Sequence, residues 1–327
     1  MSAVELPHWD ARPGDLQRCL ETVDEWANTL LDSRVIETFS PSMAIALAQL
    51  NGSKLFDALD AFAAEHWDSR HGRERNLATV QEFSPEQCSA IENASGVLGL
   101  DGTPPPQRKT YDAVILTGGM VRAGIVKPRY LRELYDTGLR WGEAVFLGGF
   151  RPFAGDELEL AGVLGVEGDN EFDSMTAGMR FAFGLGEPDT VKASVPKAEE
   201  GIGNAQWREE SWLWNDQVLR VVAAPSSEPQ QRRANTIDTY RFWASRTENI
   251  ASILVITTSA YVPYQAAGAV EVFGMEFGCS VETVAVSAAA NDLGEHTQKF
   301  LPMHLAQEMR SAVHGMRKLR KALIERS

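Results

Sequence analysis

From residue 111 onward the chain repeats one pattern: a short apolar run, a glycine-rich turn, then a stretch with helical periodicity. That alternation argues for βαβ units, because a parallel strand pair needs a crossover long enough to hold a helix. Five runs fit buried strands, at 113–117, 144–147, 218–223, 253–257 and 281–286. Helical stretches at 129–136, 173–183, 236–245 and 264–273 lie between most of them. The expected fold class is therefore α/β, a Rossmann-like three-layer parallel sheet. In such sheets ligands bind at the carboxyl ends of the strands, where loops and helix N-termini converge.

The first hundred residues read differently, as helices with no strand alternation. Leu16, Leu20, Val23, Ala27, Leu30 and Leu31 recur at three- and four-residue intervals, one apolar stripe. Ser40-Pro41 pairs an N-cap with a first-turn proline, and Ser84-Pro85-Glu86-Gln87 fits a capping box. The turn-forming, proline-rich run at 101–107 can continue neither helix nor sheet. The organisation expected is a helical region at 1–100, a linker at 101–110 and a Rossmann-like domain at 111–327. A last helix, striped by Leu305, Met309, Val313, Met316, Leu319 and Leu323, should pack back on that domain or on a second subunit. Residues 187–216, with scattered glycines, prolines and charges around Trp207, Trp212 and Trp214, read as an insertion or lid.

Charge narrows the partners. Lysine and arginine total 31 against 45 acidic residues, a net charge of -14 that repels nucleic acid and anionic membrane. No run approaches the roughly 18 apolar residues of a membrane span, and the opening residues lack the basic start and apolar run of a signal peptide. Cys19, Cys88 and Cys279 show no paired spacing, which fits a reducing cytoplasm. The histidines are scattered without metal-ligand spacing. GxGxxG is absent after the first strand, and neither GxxxxGK[ST] nor GxSxG occurs. Dinucleotide, P-loop and serine-hydrolase readings are disfavoured accordingly.

Candidate site residues cluster at the expected carboxyl edge. Gly118-Gly119 and Gly148-Gly149 each follow a strand, and bare backbone N–H groups there suit phosphate, carboxylate or ribose, or simply a tight strand exit. Asn235 and Thr236 open one helix, and Thr258 and Ser259 precede another; each pair either caps its helix or meets a ligand. Tyr261 and Gln265 are their neighbours. Arg151 offers a bidentate clamp for an anion, or a surface ion pair. Arg232 and Arg233 could attract an anion or pair with nearby acids. Glu157, Glu171 and Asp173 are candidates for a general base, or first-turn acids favoured by a helix dipole.

The segments YDAVILTGGM, RYLRELYDTG, EAVFLGGFRP, ANTIDTYRFWA and ILVITTSAYVPYQAAGAVEVFG follow one another across residues 111–286. In order and spacing this stretch resembles the YdcF-like family, which includes SanA and ElyC. The resemblance implies a Rossmann-like fold and places Gly118, Gly119, Gly148, Gly149, Asn235, Thr236, Thr258 and Ser259 in the shared motif. It also implies a small nucleotide-like ligand, with S-adenosylmethionine the named candidate, and transfer as one chemistry. Val262 and Gln265 stand where the family has histidine and arginine, and Asp238 and Thr239 where it has Glu-Asn. Valine cannot move a proton and glutamine cannot neutralise an anion, so chemistry built on those positions is in doubt here. Two other functions stay open: a hydrolase or transferase acting on a phosphate ester or sugar nucleotide, and a non-catalytic ligand-binding or scaffold protein. The expected partner is a small molecule, with homo-oligomer formation left open.

Overall fold

The computed structural model describes residues 3–71, 79–194 and 203–327. Four helices come first: α1 (Asp15–Asp32), α2 (Pro41–Leu47), α3 (Gly52–His66) and α4 (Pro85–Val97). Both serine signals act as caps: Ser40 accepts from the Met43 N–H, and Ser84 and Gln87 satisfy each other's backbone donors. Then follow β1 (Thr110–Thr117), α5 (Val121–Asp136), β2 (Arg140–Gly148), α6 (Glu157–Val163) and α7 (Glu171–Phe183). The chain continues through β3 (Thr190–Ala193), β4 (Arg208–Trp214), β5 (Gln217–Ala223), α8 (Thr236–Ala244) and β6 (Ser252–Thr257). Last come α9 (Val262–Ala269), which runs on into a π-helical turn, β7 (Ser280–Ala285), α10 (Ala288–Asn291) and α11 (Pro302–Arg326).

The seven strands form one sheet in the order β3-β4-β5-β2-β1-β6-β7. β5, β2, β1, β6 and β7 run parallel, and the chain changes direction across the sheet between β1 and β6. That switch defines a Rossmann-like three-layer α/β fold and fixes where its crevice opens. Strand alternation divides the core. Val114, Leu116, Leu254 and Ile256 face Val126, Leu131, Met175 and Met179 of α5 and α7, while Ala113, Ile115, Ile253 and Val255 face the opposite layer.

That opposite layer joins the two halves of the chain. One continuous cluster runs from the sheet through Val270 and Phe273, across Met309, Val313, Met316 and Leu319 of α11, to Trp26, Leu30, Phe56 and Phe62 of the helical region. Arg320 of α11 pairs with Asp24 at 2.6 Å and Arg317 with Asp57 at 2.7 Å. The linker is strapped along β7, with the Ala285 N–H donating to Thr103 at 2.8 Å and the Gln107 N–H to Glu282 at 2.9 Å. Upstream, Trp9 exchanges backbone hydrogen bonds with Val281 and so covers the β7 edge.

Two expectations need correcting. The described part of 187–216 is no lid: it forms the antiparallel strands β3 and β4, which extend the sheet beyond β5, and residues 195–202 lie outside the described residues. Trp214 packs against Tyr135 and Phe183 with ring centres 4.8 and 4.9 Å away, and Trp207 against Phe242 of α8 at 5.9 Å. An edge strand exposed along its whole length, as β3 is, carries no apolar alternation to read. The helix expected from Arg129 starts at Val121, eight residues earlier, with Pro128 inside it. Pro128 cannot donate to the Gly124 carbonyl, and that carbonyl is where α7 comes closest: a Cβ on Gly178 would sit 1.9 Å from it.

Candidate functional site

A cavity of about 760 Å³ opens at the carboxyl edge of the sheet. Its floor is made by the loops after β1 and β2, with Gly118, Gly119, Gly148 and Gly149. α7 aims its first residue between these loops, because the Gly124–Gly178 contact draws α7 onto α5. The Glu171 carboxylate is buried there and accepts hydrogen bonds from the backbone N–H groups of Gly119 and Gly149. A Cβ on Gly118 would lie 2.4 Å from Glu171 Oε1, so only glycine leaves the carboxylate its place. Burial pushes the Glu171 carboxyl above its ordinary value, against the opposing pull of Arg151, Arg233 and the two N–H donors.

Glu157 does something else. It grips Arg151 in a bidentate pair, with Nη1 to Oε2 at 2.6 Å and Nη2 to Oε1 at 2.8 Å. The N–H groups of Val121 and Ala154 donate to the same carboxylate at 3.1 and 3.0 Å. Burial opposes its charge, yet these partners outweigh burial and hold its carboxyl below the ordinary value. A carboxylate so occupied anchors Arg151 and is not a base. Arg151 is thereby fixed over the β1 loop, with Nη2 3.2 Å from the Gly119 carbonyl. Beneath the same loop, the buried ammonium of Lys127 donates to Thr117 Oγ1 at 2.9 Å and to the Gly118 carbonyl at 3.1 Å.

The start of α8 forms the next wall, with Arg233, Asn235 and Thr236 lining the cavity. Asn235 and Asp238 form a capping box with both bonds at 3.0 Å. Arg232 is held by Glu228 and Asp238, away from the lining. Gln265 accepts from the buried Tyr240 hydroxyl at 2.8 Å and reaches Thr236 Oγ1 at 3.4 Å, so it braces α8 while lining the cavity beside Tyr261. Val262, which opens α9, is fully buried.

Three sequence candidates stand apart. Asp173 is the N3 member of a capping box with Asn170 and is no base, since its carboxylate receives the Asn170 N–H at 3.2 Å and the Asp169 N–H at 3.0 Å. Thr258 lines a small neighbouring cleft with Met120 and Phe300, and Ser259 lines neither opening. Sequence reasoning missed the far wall altogether. Arg70 comes from the helical region, Tyr264 from α9, and Glu308, Arg310, Ser311 and His314 from α11. Arg70 pairs with Glu308 at 2.5 Å and Arg310 with Asp68 at 3.0 Å. Capping and turn signals could not reveal them, because they meet only through tertiary packing.

Among the described residues no helix is long and apolar enough to cross a membrane, and no His, Cys, Asp and Glu group could hold a metal ion. The fold and cavity define a Rossmann-like α/β protein whose crevice is bordered by α9, α11 and, from the helical region, Arg70. Residues 10–99, almost the whole of that region, match a family model described as the Rv3785 N-terminal domain. The chain is 31% identical over 265 residues to "Uncharacterized protein Rv3785" of Mycobacterium tuberculosis, covering 78% of this chain and 71% of the relative. "Uncharacterized protein Mb3814" of Mycobacterium bovis matches with the same figures. The chain belongs to the Rv3785 family. No solved structure matches it.

Proposed function

We propose that the cavity binds a phosphate-bearing small molecule and that the protein is a hydrolase or transferase acting on a phosphate ester. The observation that carries this reading is the set of four arginines, Arg70, Arg151, Arg233 and Arg310, lining one cavity of a chain whose net charge is -14. Three glutamates line it too, so the lining carries one more guanidinium than carboxylate, and burial weakens the charge of Glu171 further. Arg233 lines the cavity beside the α8 N-terminus and is the guanidinium that meets phosphate oxygens, while Arg151, engaged by Glu157, Pro152 and Gly119, fixes the β1 and β2 loops around it. Glu171 is the proton donor: it gives its proton to the leaving oxygen as one P–O bond breaks, water or an acceptor hydroxyl forms the new P–O bond, and the proton released by that nucleophile returns to the Glu171 carboxylate. S-adenosylmethionine, the ligand suggested by the YdcF-like resemblance, brings a sulfonium cation toward these arginines and is the weaker candidate. Acidic net charge and three free cysteines support a cytoplasmic setting.

Thermal unfolding tests the reading against inorganic phosphate, nucleoside phosphates, sugar nucleotides and S-adenosylmethionine. A ligand at a hundred times its Kd adds about 2.7 kcal/mol. Stabilisation by phosphate-bearing compounds that disappears in Arg233→Ala is the expected result. Stabilisation by S-adenosylmethionine alone would replace this reading, and no stabilisation by any compound would favour a non-catalytic protein.

A further inference from the structure

Two backbone N–H groups hold Glu171, and they are built differently. Each comes from a glycine pair at a strand exit, Gly119 after β1 and Gly149 after β2. A peptide group donates more strongly when its own carbonyl is engaged, because hydrogen bonds in a chain polarise one another. The carbonyl joined to the Gly149 N–H is that of Gly148, and it accepts from the neutral Ala224 N–H at 2.9 Å. The carbonyl joined to the Gly119 N–H is that of Gly118, and it accepts from the Lys127 ammonium at 3.1 Å. Ammonium, peptide and carboxylate thus form one chain of hydrogen bonds. Lys127 is fully buried and also donates to the Thr117 carbonyl and to Thr117 Oγ1 at 2.9 Å, three acceptors for its three N–H bonds. Desolvating an ammonium is costly, and an apolar side chain would fill the same place between α5 and β1 without that cost, so packing alone does not call for a charge here.

We infer that Lys127 is a positioning residue for Glu171: through the Gly118–Gly119 peptide it aims one N–H at the carboxylate and strengthens that N–H as a donor, an assignment whose part in the reaction rests on Glu171 being the proton donor. Burial favours the protonated carboxyl, whereas a cation one peptide away favours the carboxylate. Lys127 therefore keeps the Glu171 proton transferable, as a donor in a reaction must be. Arg151 and Arg233 pull in the same direction from the β2 loop and from the segment before α8, and Arg151 also holds the next carbonyl, that of Gly119, at 3.2 Å. Lys127 differs from both in lying beneath the loop and outside the cavity lining, so it acts on Glu171 and not on a ligand.

The ionisation of Glu171 in the full chain tests this. It is followed against pH as the infrared band of the protonated carboxyl, assigned by its loss in Glu171→Gln because Glu157, Glu308 and His314 line the same cavity. Lys127→Met removes charge and donors together. Lys127→Gln keeps N–H donors and removes the charge alone, and it carries the measurement should the methionine variant fail to fold. In either variant the midpoint should rise by about one pH unit, a tenfold gain in proton affinity. A lysine that serves only to hold the loop together would cost stability when replaced and leave the midpoint where it was, so an unmoved midpoint in a folded variant overturns the inference. Calorimetric titration of the wild type with inorganic phosphate reads the phosphate proposal separately. Phosphate binding with an unmoved midpoint leaves that proposal standing and ends this one, and a raised midpoint without phosphate binding does the reverse.

Discussion

Glu171 is the buried carboxyl at the floor of the cavity, and its environment sets a pH signature. Burial holds its carboxyl above the ordinary 4.5, so the folded protein keeps a proton that the unfolded chain releases. Stability linked to this group is fully present below the unfolded value and is lost as pH rises through the folded one. Glu171→Gln carries no such loss. In denaturant titrations from acid to neutral pH, the stability difference between variant and wild type should therefore change steadily in the variant's favour, then level off. A difference flat across that range would mean an ordinary carboxylate and would remove Glu171 as proton donor. Much at this scale is legible before folding: the two glycine pairs, Arg151 and the Asn235–Asp238 cap all announce themselves. Which arginine of the 232–233 pair turns to the cavity is not, because the Glu228 and Asp238 contacts of Arg232 decide it. Nor is Lys127 legible, since a lysine beside a proline reads as helix-breaking surface until its partners are seen.

At the scale of elements, the site depends on how closely α7 approaches α5. Gly178→Ala places a methyl carbon on the Gly124 carbonyl, and either helix must shift. The cost should reach the upper end of the roughly 1 to 3 kcal/mol typical of overpacking, with ligand binding lost because Glu171 moves with α7. Gly162→Ala in α6, with open space at the same atom, is the control, and should gain up to about 1 kcal/mol from helix propensity. Equal melting temperatures for the two variants would contradict the close approach. The parallel strands were readable because buried runs are apolar throughout. β3 was not, since an exposed edge strand needs no such run, and β4 was not, since charged Arg208, Glu209 and Glu210 make up its first half. α6 was hidden for a related reason, with Leu158 and Val163 exposed and its buried Glu157 charged.

For the whole molecule, the core crosses the division into a helical region, linker and Rossmann-like domain. Trp26 and Phe56 share one apolar cluster with Met316 and Phe273. A fragment of residues 111–327 should therefore expose the α11 face, bind a hydrophobic dye and lack a cooperative melt. Circular dichroism and dye fluorescence would show this, and a sharp two-state transition would establish that residues 111–327 fold alone. The far wall of the cavity was illegible on the same account: its residues are brought together only by this shared core. Asp24 and Arg320 pair across 296 residues of sequence. During synthesis at about 5 to 20 residues per second, α1 waits roughly 15 to 60 seconds for the helix that covers it. Over that interval the nascent helical region has only its own elements, such as α3 and Leu98, against which to cover the α1 stripe, and the face that α11 will bury stays open to water.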